Sequence, residues 1–131
     1  MADYNVQPGI LQVAKLTGAN MNSTADQAFT ITHPYAKFRL HSIWVHSASI
    51  SLTTAVGGIY TGTGKTGAVC STTQVYSSLT TARKTLSISV TDTDLYGSGA
   101  GVSLTLYLSL TTAQGAAATA DFYIFGANYE F

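Results

Sequence analysis

Hydrophobic and polar residues alternate with a period of two through much of this chain. The clearest run covers residues 102–110, where Val102, Leu104, Leu106, Leu108 and Leu110 fall on one side and Ser103, Thr105, Tyr107 and Ser109 on the other. Successive strand side chains point to opposite faces, so the pattern predicts a strand with one buried and one wetted face. Residues 85–90 repeat it, with Leu86, Ile88 and Val90 inward. A longer run covers residues 37–52. Phe38, Leu40, Trp44, Ala48, Ile50 and Leu52 occupy its even face, expected to be the buried one; Lys37, Arg39, His41, Ser47, Ser49 and Ser51 occupy its odd face. Ile43 and Val45 interrupt the polar side and are candidates for cover by a partner. A straight strand of this length would extend about 50 Å, well beyond the usual range, so a bend or bulge is expected near residues 47–49.

Shorter strands are expected at residues 11–16, 28–32, 58–60, 68–70 and 121–125, separated by Pro8 and Gly9, His33 and Pro34, Gly57 and Gly58, and the glycines of 97–101. At most one short helix is expected, near residues 72–79. Ser71 and Gln74 have capping-box spacing ahead of Val75, Tyr76 and Leu79. The pentapeptide Ser-Leu-Thr-Thr-Ala occurs three times, beginning at Ser51, Ser78 and Ser109. It reads as a recurring way to end a strand rather than as a solenoid repeat. Many short strands with frequent turn signals predict an all-β fold, an antiparallel β-sandwich of jelly-roll type. At 131 residues the chain fits a single domain, with residues 1–27 as an N-terminal arm and first strand and residues 28–131 as the sandwich body.

Composition narrows the function. Charged residues make up 9 % of the chain and sum to zero, against about 25 % in ordinary soluble domains. Lys15, Lys37, Arg39, Lys65, Arg83 and Lys84 are too scattered to form the basic stripe that a nucleic-acid binder needs. With 20 Thr and 13 Ser, hydroxyls keep the exposed faces wet, and a near-neutral surface favours association. Cys70 is the only cysteine, which excludes an internal disulfide. The first residues read neither as a signal peptide nor as a membrane segment, so no membrane partner is expected.

Motifs for chemistry fail on inspection. The stretch Gly62, Thr63, Gly64, Lys65, Thr66 resembles the end of a phosphate-binding loop, but Ile59 stands where the first glycine is needed, and no strand-then-helix context surrounds it. A glycine-rich hairpin tip is expected instead. His41 and His46 are five apart, which puts them on opposite faces of a straight strand, and Cys70 has no companion, so no metal site is expected. Asp92 and Asp94 read as a turn. No nucleophile elbow and no paired carboxylates stand out; no enzymatic activity and no cofactor are expected. The aromatics are numerous for so few charges. Tyr and Trp combine large contact area with a polar tip, and Tyr107 stands on the polar face of the 102–110 strand.

One resemblance adds to this. Gly57, Gly58, Ile59 and Tyr60, the run Gln74, Val75, Tyr76, Ser77, Ser78, Leu79, Thr80, and above all residues 106–126, LYLSLTTAQGAAATADFYIFG, resemble capsid decoration, or cement, proteins of tailed bacteriophages, of the jelly-roll type. The likeness covers about residues 38–126 and rests on packing and turn residues. It implies a structural virion protein, made in the host cytoplasm, that binds the capsid exterior across junctions of the major capsid protein and associates with itself as a dimer or trimer. Interface candidates are Tyr4, Val6, Ile10 and Leu11 near the start, Tyr129 and Phe131 at the end, and Ile43, Val45 and Tyr107. Alternatives are another virion component, such as a tail or head–tail connector subunit, or a carbohydrate-binding sandwich that uses Trp44 or exposed tyrosines.

Overall fold

A computed structural model describes residues 10–32, 37–82, 85–88, 95–97 and 105–128. Its strands are β1 (Ile10–Asn20), β2 (Gln27–Ala28), β3 (Thr30–Ile31), β4 (Lys37–His46), β5 (Val56–Tyr60), β6 (Val69–Val75), β7 (Thr85–Ile88), β8 (Leu95–Gly97), β9 (Tyr107–Thr112) and β10 (Thr119–Asn128). The larger sheet has the order β3-β1-β10-β4-β7, with β8 also paired to β4; the smaller has the order β2-β9-β5-β6. Every pairing is antiparallel. The order β1-β10-β4-β7 over β2-β9-β5-β6 is that of a jelly roll, in which hairpin partners nest around the first and last strands. β1 lies between β3 and β10 in the larger sheet, and residue 27, the expected end of the first segment, falls within β2.

The core is set by the alternation, with phase changes at bulges. In β10, Ala120, Phe122 and Ile124 are buried, and Asp121, Tyr123 and Phe125 face outward, half-buried. Phe122 meets Phe29 edge-on at 6.2 Å and Tyr76 edge-on at 5.7 Å. Phe29 sits where the chain crosses from β2 in one sheet to β3 in the other, so the single strand expected at 28–32 is split at a corner. Burial raises the pKa of the Tyr76 phenol, with the nearby Tyr60 phenol adding to the effect, and its hydroxyl donates to the Gly57 carbonyl at 3.2 Å.

The decisive phase change is in β4. Phe125 pairs with Ser42, but the next residue, Gly126, pairs with Leu40. His41 is therefore an extra residue on β4. A one-residue slip exchanges the two faces of a strand. Leu40 points inward before the bulge; Ile43 and Val45 point inward after it and are fully buried, while Trp44 is 39 % exposed. The expected even-face core is thus corrected within β4: Ile43 and Val45 belong to the interior, and Trp44 to the outside. The expected bend is present. β4 ends at His46, Ser47 adopts a left-handed backbone (φ 59°), and Ala48, Ile50 and Leu52 pack against or within the core beyond it.

Among the described residues there is no helix. Residues expected near a helix cap, Ser71 and Gln74, instead lie in β6 and pair with Ile59 and Gly57. Val69, Thr72, Thr73 and Val75 are β-branched, which favours the strand, and Val75 is 63 % exposed rather than on an apolar helix face. Gly57 and Gly58 lie inside β5 rather than in a turn. A Cβ on Gly57 would sit 2.8 Å from the Leu110 Cα, and one on Gly58 2.6 Å from the Ser71 carbonyl oxygen. Both are far inside contact distance, so only glycine fits. β9 begins at Tyr107; Leu106, Leu108 and Leu110 are buried as the alternation predicts, whereas Ser109 on the expected wet face is 2 % exposed. Residues 102–104 and 89–90 lie outside the described residues, as do the side chains of 85–88.

The three pentapeptide copies converge. Leu52, Leu79 and Leu110, their leucines, are all buried. The Leu52 amide donates to the Leu79 carbonyl at 3.0 Å. Gln114, just past the third copy, clamps the first: its Oε1 accepts the Thr54 and Ala55 amides at 3.0 and 3.1 Å, and its Nε2 donates to Thr53 Oγ1 at 3.1 Å. Removing this amide strands buried backbone donors, so Gln114→Ala should destabilise the fold by about 1–3 kcal/mol in denaturant titration. In the same assay Ile43→Ala should cost about 2–5 kcal/mol, while Trp44→Ala, on the outer face, should cost under about 1 kcal/mol. The opposite ranking would refute the phase change at His41.

Candidate functional site

The outer face of the larger sheet is built by three adjacent rungs. Gln12 of β1 pairs with Phe125 of β10, which pairs with Ser42 of β4; Lys15 pairs with Tyr123, which pairs with Trp44; Asp121 pairs with His46. On one face of a sheet, side chains directly opposite lie about 5 Å apart, close enough to form a continuous surface. His46 and Tyr123 stack with centroids 4.8 Å apart and planes 12° from parallel. Gln12, Trp44, His46, Tyr123 and Phe125 together line an open groove of about 590 Å³. Two bulges make it. The extra residue in β4 turns Trp44 and His46 outward. Val13 is an extra residue in β1, between Gln12 and Ala14, so Val13 and Ala14 are both buried while Gln12 stays on the outer rung.

The groove's lining has no carboxylate, lysine or arginine. Lys15 and Asp121 stand on the flanking rungs, one of each sign, and Asp121 is occupied: its Oδ1 accepts the Gly18 amide at 2.7 Å, closing a further irregularity of β1 where Gly18 has φ 65°. His46 Nδ1 is engaged by Ser47 Oγ at 3.2 Å, which leaves Nε2. Among the described residues, the Gln12 amide, the Tyr123 hydroxyl and the Trp44 indole N–H make no side-chain hydrogen bond. The groove therefore offers apolar ring surface together with polar groups open to solvent.

A second cluster lies on the smaller sheet. The tip between β5 and β6 is the expected glycine-rich turn, with Gly64, Lys65 and Gly67 at positive φ. Lys65 does not point into a phosphate cradle. It folds back so that Nζ donates to Ser109 Oγ at 3.0 Å and to the Leu110 carbonyl at 3.4 Å, and Asp26 Oδ2 accepts the Gly64 amide at 2.7 Å. The Ser109 hydroxyl also helps to favour the ionised form of Asp26. This strap explains why Ser109 is buried on a face expected to be wet. A serine beside a lysine suits nucleophilic chemistry only where substrate can reach the hydroxyl; here Ser109 is covered, and the cluster serves to pin the tip.

The interface candidates separate accordingly. Tyr4, Val6, Tyr129 and Phe131 lie outside the described residues. Ile10 and Leu11 begin β1, paired with Ala127 and Gly126. Ile43 and Val45 are core and need no covering partner. Tyr107 is half-buried on the smaller sheet, paired with Tyr60 and Ala28, away from the groove. The alternation did not single out Gln12, His46 and Phe125. A usable signal was the run Phe122, Tyr123, Ile124, Phe125, which is aromatic or aliphatic on both faces. The core needs only one of them.

Among the described residues no three His, Cys, Asp or Glu side chains come together as a metal site, and no helix is long and apolar enough to cross a membrane; Asp92 and Asp94 lie outside them. Comparison with protein-family models, with curated proteins and with solved structures finds no match.

The strap has a pH signature. The Asp26 carboxyl is held below the usual carboxylate range, first by the Gly64 amide and then by the Ser109 hydroxyl, with Lys65 adding to this; partial desolvation opposes it. A depressed folded pKa means stability that is complete above the unfolded value of about 3.9 and lost as pH falls through the folded one. The stability difference between wild type and Asp26→Ala should therefore be constant from neutral pH to about pH 5 and shrink below about pH 4, as read by denaturant titration across that range. A difference independent of pH would show that the carboxylate does not hold the tip.

Proposed function

We propose that the protein is a structural component of a tailed-phage virion, a decoration protein that binds the outside of the head and stabilises junctions between major capsid subunits. The observation that carries this reading is the strand order, β1-β10-β4-β7 over β2-β9-β5-β6, which is the architecture the resemblance implies. The residues behind the resemblance are those the architecture depends on. Gly57 and Gly58 permit close strand approach, Leu79 and Leu110 are buried in the core, and Phe122 packs edge-on against Phe29 and Tyr76.

The role is mechanical. A charge-poor sandwich rich in hydroxyls docks on a shell without strong charge repulsion, and modest contacts repeated over many sites sum by multivalency. The major capsid protein is the partner, with self-association into a dimer or trimer. Purified protein mixed with undecorated heads at micromolar concentration should co-sediment with them and raise the temperature at which they open. Absence of binding would overturn the reading.

A further inference from the structure

We infer that the groove formed by Gln12, Trp44, His46, Tyr123 and Phe125 on the outer face of the larger sheet is a binding site for neutral pyranose glycans. The groove has two properties that together select the ligand. Its walls are planar rings: Trp44, 39 % exposed, pairs across the strands with Tyr123, and Tyr123 is braced on one side by the stacked His46 ring. Its polar groups, the Gln12 amide, the Tyr123 hydroxyl, the Trp44 N–H and His46 Nε2, stand among those rings without a side-chain partner among the described residues. A wholly apolar partner would leave these groups unsatisfied, which costs free energy. A pyranose ring answers both properties: its faces carry C–H groups that lie against an aromatic ring, and its hydroxyls radiate from the edge, where they give and accept hydrogen bonds.

Size and charge agree. Ligand clefts occupy roughly 300–1,000 Å³, and this one is about 590 Å³. Tyr123 and Phe125 are two residues apart on β10, so they recur at about 7 Å along the strand and continue the ring surface along it. The lining carries no acid and no Lys or Arg, which suits an uncharged ligand better than a phosphorylated or acidic one. The rings are also held in advance. They stand on three hydrogen-bonded central strands rather than on loops, so little ordering is required on binding.

The inference does not depend on the virion reading. Glycan binding without head binding would keep the groove and discard the decoration role; head binding without glycan binding would do the reverse. Trp44 is the only tryptophan in the chain, so its fluorescence reports the groove directly. The full chain is titrated with maltotetraose, cellotetraose and chitotetraose and screened on an array of neutral glycans. At least one should give a saturable change in emission, with Kd of roughly 10 µM to 1 mM. By calorimetry, Trp44→Ala and Tyr123→Ala should each weaken that binding by about tenfold or more, while Tyr107→Ala on the other sheet leaves it unchanged. Should Tyr123→Ala unfold, Trp44→Ala decides, because its side chain is outside the core. No saturable binding to any of these glycans overturns the proposal. So does wild-type affinity in Trp44→Ala, and so does a Trp44→Ala defect confined to head binding, which would give the groove to a protein partner.

Discussion

The extra residue at His41 determines which side chains of β4 are interior and which are surface. Before it Leu40 points inward; after it Ile43 and Val45 do. Without it, Trp44 would have to fit a core already occupied by Phe122, Tyr76 and Phe29, and Ile43 and Val45 would lie against water. With it, two β-branched side chains fill the space beside Ile124, and an indole too large for that space goes outside. The partner strand β10 keeps its phase, so Tyr123 and Phe125 meet Trp44 and Ser42 on the outer face. The core and the groove are two results of one bulge.

The smaller sheet is organised by a different constraint, the need for strands to approach closely. β5 has strands on both sides and is buried along nearly its whole length. Its paired glycines let β9 and β6 close on it, and Tyr60 folds back beside Gly58, its hydroxyl where a side chain there would begin. Over this sheet the β5–β6 tip is tied down by Asp26, Lys65 and Ser109. The strap covers Ser109, whereas Tyr107 stays half-buried and Val75 exposed on the same sheet.

Much of the architecture was legible because period-two alternation is a direct record of burial. Leu106, Leu108 and Leu110 follow from it, and the length of the 37–52 run signals the bend at Ser47; of the three pentapeptide copies, however, only the one at residues 109–113 ends a strand, the other two lying between strands. What alternation cannot encode is a change of phase, since a bulge has no residue type of its own; Ile43 and Val45 therefore looked like surface, and Trp44 like core. Ser109 was misplaced for another reason: its cover comes from Lys65, which is 44 residues away along the chain. The capping-box pattern at Ser71 and Gln74 was a local signal overruled by pairing with β5, although the Gln74 amide still donates to the Ser71 hydroxyl within the strand. The groove was legible only in part, through Trp44 and the doubly apolar run 122–125, because its other members are brought together by pairing.

The position of β10 has a consequence for how the molecule comes to exist. It is the last of the described strands, yet it lies between β1, the first of them, and β4. The larger sheet therefore has a gap at its centre until β10 is available, and closing that gap joins residues as far apart in sequence as Ile10 and Ala127. Folds dominated by such distant pairings form slowly, since the entropy of ordering the intervening chain is lost before the contacts form. During synthesis the nascent protein presents unpaired edges of β1 and β4, and completion is a late event. Its yield in a cell is then governed by how fast β10 inserts relative to how fast two such open edges find each other.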